Sequence, residues 1–353
     1  VSVQQQQSVD FGRQHVRIDN ARIATLIPTR SLVVCAVLLV VILAAGLTSM
    51  TIGAYSISLE SVLRALFDPA SDPDARQVVF DWRLPRVLFA VLCGMALALS
   101  GGIFQSLTRN PLGSPDIIGF GIGAQFGVTL TMVVLELNTY MFKAAGALIG
   151  GLITALLVYA LATTKTMSSF RLIIVGIGVS AGLGSLTSWI LISVSVEKAM
   201  MAATWGAGSL ASLGFDQLIP ATLVFAVVMV AALPLNRTLP VLEMGDDAAT
   251  ALGIRPGRTR LAALVLGVAL IALVTAAAGP ISFIALAAPQ ICQRLTRSNT
   301  PMSTLPVMLT GAALVVVSDM AAQLLMVPVG VVTVSVGGLY LAWLLAAQYA
   351  QRA

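Results

Sequence analysis

The chain has 353 residues, 58% of them hydrophobic and 10% charged, with twenty Lys and Arg against fifteen Asp and Glu for a formal net charge of +5. A mean hydropathy of +0.96 excludes a soluble domain, whose exposed face needs far more charge, and points to an integral membrane protein. One histidine and three cysteines exclude a disulfide framework and a histidine-built metal or haem site within one chain.

Residues 1–30 are polar and Gln-rich, carry Arg13, Arg17, Arg22 and Arg30, and hold His15, the only histidine. They read as a largely disordered cytoplasmic tail ahead of a single transmembrane domain over 31–353. A cleaved signal is not expected, because the apolar run from Ser31 to Ser49 is long enough to span. Apolar runs then predict spanning helices at 31–49, 87–107, 117–135, 141–163, 171–193, 217–235, 260–278, 280–293, 303–325 and 329–349, the eighth being short. The alternation of a transmembrane barrel is absent. With the N-terminus inside, ten spans put both termini in the cytoplasm. Arg13, Arg17, Arg22, Arg30, Arg109, Lys165, Arg171, Arg237, Arg255, Arg258, Arg260, Arg294, Arg297 and Arg352 then fall inside, fourteen of the twenty basic residues, as positive-inside bias requires.

Cys35, Cys93 and Cys292 lie far apart in apolar runs and read as reduced packing residues. Glycines spaced by four (Gly119, Gly123 and Gly127; Gly146 and Gly150; Gly178 and Gly182) each line one helical face and predict close backbone approach. "GFGIGA" at 119–124 is packing rather than a dinucleotide fingerprint, since no strand precedes it. No GxxxxGK[ST] loop occurs, so any ATP that drives this protein is hydrolysed by another chain.

Three clusters stay polar. "SLESVLRALF" is amphipathic, with Leu59, Val62, Leu63 and Leu66 on one face, and leads to "DWRLPR" at 81–86. There Arg83 and Arg86, three apart and pointing outward, either meet an acidic partner or snorkel to phospholipid. In "FQSLTRNPLGSPDIIGFGIGA", Pro111 and Pro115 interrupt the backbone between the second and third spans, a break tolerated where it lines a cavity or is buried in protein. "LEMGDDAATALGI" places Glu243, Asp246 and Asp247 on a short helix with acids in its first turn, an apolar strip of Ala248, Ala249 and Leu252, and Gly253 as its end. Only Asp116 and Asp319 approach the apolar region, each near a span end, which argues against an ion-coupled carrier. No paired-aspartate, Ser-His or HExxH constellation supports an intramembrane enzyme.

"RLPR", "ALSGGIFQSLTRNPLGSPDIIGFGIGA", "LEMGDDAATALGI", "GPISFIALAAPQICQR" and "VPVGVVT" occur in the order and spacing of the FecCD-type permeases. These are the membrane subunits of type II ABC importers for ferric siderophores, haem and cobalamin. The resemblance covers roughly residues 55–350; within the family, "EMGDD" and "PVGVVTVSVGGLYLAWLL" are most like the permease subunits of ferric enterobactin importers. It implies an all-α fold of about ten transmembrane helices and a permease, not an enzyme, that moves a ferric siderophore across the bacterial cytoplasmic membrane. A haem or cobalamin importer and an ion-coupled secondary transporter are the alternatives.

The resemblance further implies that region 241–256 is a coupling helix, with Glu243, Met244, Gly245, Asp246, Asp247, Ala248, Leu252 and Gly253 docking into a dimeric ABC ATPase. Arg83 and Arg86 match arginines that grip the extracytoplasmic substrate-binding protein, and Gln323 stands where the cobalamin permease carries a further arginine. Asn110, Leu112, Ser169 and Phe170 match a cytoplasmic gate. The working unit implied is a heterodimer with a second FecCD-type permease subunit. This chain binds no metal or cofactor; ATP and Mg are used by the partner ATPase, and no nucleic acid is involved.

Overall fold

Backbone N–H and C=O groups find no water in hydrocarbon, so each crossing must close its hydrogen bonds within its own segment, and helices result. The computed structural model describes residues 15–20, 23–53, 55–68, 72–162, 169–298 and 304–350. In chain order the helices are α1 (Thr29–Ser49), α2 (Leu59–Phe67), α3 (Pro73–Gln77), α4 (Leu84–Thr108), α5 (Pro115–Ile118), α6 (Phe120–Thr129), α7 (Tyr140–Ala162), α8 (Ser169–Ile192) and α9 (Val196–Gly206). They continue with α10 (Phe215–Ala232), α11 (Leu235–Glu243), α12 (Asp246–Ala251), α13 (Pro256–Ala278), α14 (Ile284–Thr296), α15 (Thr304–Leu325) and α16 (Val329–Ala350). Each of the ten expected spans carries a helix, and among the described residues seven of these are long and apolar enough to cross a membrane.

Four details depart from expectation. Part of the tail is ordered: His15–Asn20 (β1) and Ile23–Pro28 (β2) pair antiparallel, with His15 opposite Pro28. The second crossing begins earlier than residue 87, because α3 runs through a wide π-type turn, Val78–Arg83, directly into α4. Arg83 and Arg86 are therefore helical. The break expected between the second and third crossings is present between α4 and α5, with Pro115 at the first turn of α5 behind the Ser114 cap, where its missing N–H costs nothing; a second, unexpected break falls at Gly119, whose φ of 90° separates α5 from α6. On α2, Val62 and Ala65 are fully buried while Leu59 and Leu63 stay exposed. The inward face is thus narrower than the apolar pattern, and it packs with Met50, Ile57, Val78, Val79 and Val87.

Helix α4 runs through the centre, 83% of its apolar window buried, against 22% for α1 and 17% for α8 at the periphery. It packs on α15, α13 and α14. Its approach to α15 is backbone to backbone: a Cβ on Gly94 would stand 2.3 Å from the carbonyl oxygen of Gly311. The three cysteines are free, Cys93 and Cys292 buried.

Candidate functional site

Helix α4 carries an arginine near each end, and each enters a network centred on an aspartate. At the first end, Arg86 grips Asp319 of α15 with a two-pronged guanidinium–carboxylate pair, Nε to Oδ2 at 2.9 Å and Nη2 to Oδ1 at 2.9 Å. The Asp319 side chain is 2% exposed. Such a carboxylate is tolerable only if paired and hydrogen-bonded. Gln323, one turn further along α15, donates to Asp319 Oδ2 at 2.9 Å and to Ser49 Oγ at 2.6 Å, tying α1 to the pair. Arg83 donates to the backbone carbonyls of Met50 and Tyr55, which lie in the stretch after α1. Both arginines line a cavity of about 790 Å³ together with Tyr55, Trp82, Gln323 and Met326.

The two arginines of "DWRLPR", expected to point outward to an acidic partner or phospholipid, thus have both guanidinium groups held by the protein itself. For Arg86 the reason is the buried Asp319, and for Arg83 the carbonyls after α1, neither of which the local motif contains. Arg86→Glu would leave Asp319 without its cation, a change that costs about 3–5 kcal/mol in buried pairs and reports on folding as well as on any docking.

At the second end, Arg109 caps α4 in the left-handed conformation, φ 50°. Its Nη2 donates to the carbonyl of Leu242 at 2.6 Å and to Asp246 Oδ1 at 3.3 Å. Asp246 is also forked by Arg260 of α13, at 2.9 and 2.6 Å. Gly245, at φ 122°, turns the chain from α11 into α12. Gly253, at φ 79°, ends the segment as expected, with Ile254 N–H returning to the carbonyl of Ala249.

The expected apolar strip of α12 divides: Ala249 is buried, whereas Leu252 and Met244 are 65% and 71% exposed. Ala248 is half-buried and Asp247 exposed. Asp246 thus stabilises the chain's own fold, and Asp247, Met244 and Leu252 face outward. Glu243 lines a cavity of about 400 Å³ with Gln105, Arg109, Asn110, Gln290 and Gln293. Its Oε1 is buried without a hydrogen-bond partner among the described residues. Across that cavity Gln290 Nε2 donates to Gln105 Oε1 at 3.0 Å and to the carbonyl of Pro111 at 3.2 Å.

Of the residues expected at a gate, Asn110 accepts the Leu112 N–H at 2.9 Å in a tight side-chain turn directly after Arg109. Phe170 is 74% exposed near the start of α8; the side chain of Ser169 lies outside the described residues. Asp116 is half-buried and accepts the N–H of Phe283, steadying the left-handed turn, φ 68°, that opens α14. Sequence reasoning noticed Asp319 and Arg260 but not their partners. The available signal was the rarity of a lone acid within an apolar run, which implies a partner without naming it.

A family description, the FecCD transport family, matches residues 38–347. The chain is 44% identical over 320 residues, 90% of its length and 96% of the relative's, to the ferric enterobactin transport system permease protein FepG of Escherichia coli. It is 34% identical over 300 residues to FepD of the same system, covering 84% of this chain and 89% of the relative. Among solved structures, an inward-facing conformation of a metal-chelate type ABC transporter superposes with a TM-score of 0.78 at 28% identity, covering 89% of this chain and 98% of that one.

Proposed function

The chain belongs to the FecCD transport family, and from that premise we propose that it is the permease subunit of an ATP-driven importer that carries a ferric siderophore across a bacterial cytoplasmic membrane by alternating access. The observation that carries this reading is the 44% identity, over nine-tenths of the chain, to a ferric enterobactin permease. The substrate is a chelate, so iron stays wrapped as cargo and the pathway needs no protein ligands. ATP and Mg act on the partner ATPase.

The Asp246 end faces the cytoplasm, as do both termini. The exposed Met244, Asp247 and Leu252 meet a dimeric ABC ATPase, and Glu243, Gly245, Ala248 and Gly253 shape that surface. The cavity at the Arg86 end receives the substrate-binding protein, with Arg83 and Arg86 presented to its acidic residues in orientations set by Asp319 and by chain carbonyls. Asn110, Leu112, Ser169 and Phe170 form the cytoplasmic gate. Energy enters as a difference in contacts between the nucleotide states of the ATPase.

The second half of the pathway is a related but different permease subunit. Support comes from the similarity to both FepG and FepD and from the face of α8 around Gly178 and Gly182, where an added Cβ would meet nothing within 4 Å among the described residues. The ion-coupled alternative loses its candidates, since Asp116 and Asp319 are both engaged by the fold. Proteoliposomes holding this chain, its partner subunit, ATPase and binding protein should accumulate a catecholate ferric siderophore only with ATP. Uptake driven by an imposed ion gradient without ATP would overturn the reading.

A further inference from the structure

Arg86 and Arg109 stand at opposite ends of one continuous helix, set about 34 Å apart by a rise of 1.5 Å per residue. Between them α4 is gripped directly. A Cβ on Gly94 would lie 2.3 Å from the Gly311 oxygen of α15, and one on Gly101 would lie 1.8 Å from the Ala285 oxygen of α14. On the third side Ser100 Oγ donates to the carbonyl of Gly267 in α13 at 2.8 Å. At these points no side-chain layer lies between the backbones to absorb a small slide or rotation, and close-packed contacts of this kind change by switching rather than by gradual deformation.

The two ends are clamped by the same chemistry. Asp319 holds Arg86 with a two-pronged pair and is itself tied through Gln323 to α1. Asp246 joins Arg109 to Arg260, so that the first residue of α12, the cap of α4 and the first turns of α13 share one carboxylate. Directly beyond Arg109 lies the Asn110–Leu112 turn.

We propose that α4 is a strut that couples the two faces of the transporter, and that Asp319 and Asp246 are positioning residues that fasten its ends, one at the cavity proposed for the binding protein and one at the helix proposed for the ATPase. In this assignment Asp246 does not touch the ATPase. It carries displacement of α12 into Arg109, the turn after it and the length of α4, and Asp319 passes the same displacement to the opposite cavity. The proposal rests on the importer reading above.

The test is ATP hydrolysis by the complete transporter in lipid nanodiscs, with and without saturating binding protein, so that changes in docking affinity do not enter. Asp246→Asn is expected to lower the stimulation by binding protein at least tenfold while the ATPase still copurifies in wild-type amount, and Asp246→Glu to recover most of it. Asp319→Asn is expected to lower stimulation similarly, and the double variant to be no worse than the weaker single one, as a double-mutant cycle across one rigid element requires. Where Asp319→Asn does not accumulate, Arg86→Lys serves at that end, keeping the charge and losing the fork. Full stimulation in Asp246→Asn, loss of ATPase copurification in it, or two losses that multiply in the double variant would each overturn the strut. A wild-type complex that shows no stimulation by binding protein would remove the importer reading instead.

Discussion

Two glycine seams in this chain have the same spacing and different fates. On α6 and α7, Gly123 and Gly127 lie against Gly146 and Gly150, so close that a Cβ on Gly127 would come within 2.0 Å of the Gly146 oxygen. On α8, a Cβ added at Gly178, Gly182 or Gly184 would meet no atom of another element within 4 Å among the described residues. Ile177 and Trp189 on the same helix are 53% and 67% exposed. Spacing by four makes a face that admits another backbone closely; it does not say whether that backbone belongs to the same chain. The closed seam is spent on the fold. The open one is the face proposed above for the second subunit.

The contrast is broken most violently at the closed seam. Gly127→Leu should leave little folded chain in the membrane, because the added side chain meets backbone that cannot yield; overpacking in tight cores costs about 1–3 kcal/mol and more where nothing relaxes. Membrane yield and thermal unfolding of the purified protein measure it. Gly182→Leu should keep the isolated chain within about 0.5 kcal/mol of wild type, yet reduce copurification with the second permease subunit about tenfold. Equal loss of stability in the two variants would erase the distinction between the seams.

Helix α12 repeats the contrast on a smaller scale, with Ala249 buried and Leu252 exposed. Leu252→Asp should reduce ATPase copurification several-fold without moving the unfolding temperature. A shift in that temperature with ATPase binding intact would place Leu252 inside the fold.

The smallest effect is expected at the surface tie between Glu136, after α6, and Lys198 of α9. The hydrogen bond and charge of Lys198 hold the Glu136 carboxyl below its ordinary value of 4.5. A depressed carboxylate contributes stability that is present above that ordinary value and is lost as pH falls through the depressed one. Acidification below the ordinary value should therefore release α9 to proteases slightly, and Glu136→Gln should remove that pH dependence; unaltered acid sensitivity in Glu136→Gln would show that the tie contributes nothing.

Much of the helical layout was legible without coordinates because its cause is local. A run of about 20 apolar residues must satisfy its own backbone in lipid whatever surrounds it, so ten spans could be placed from hydropathy. Gly253 ends its segment because only the adjacent backbone is involved. The pairing of His15–Asn20 with Ile23–Pro28 was missed because polar, Gln-rich composition argues against order, and two short strands leave little trace in it.

The charged networks are different in kind. Arg86 and Asp319 are 233 positions apart, and Arg109 and Asp246 are 137 apart. From residue types, Arg83 and Arg86 had to be either partner-binding or lipid-facing, and Asp246 looked like one more docking acid. A lone carboxylate in an apolar run announces that it needs a cation, since leaving it unpaired in a low dielectric costs far more than the pair returns. Which arginine answers depends on which helices are neighbours, and on which turn of each is level with which. Helix neighbours are chosen by shape, through approaches such as Gly94 against Gly311. That choice is written in the volumes of many side chains at once, so it is settled only when the whole bundle closes.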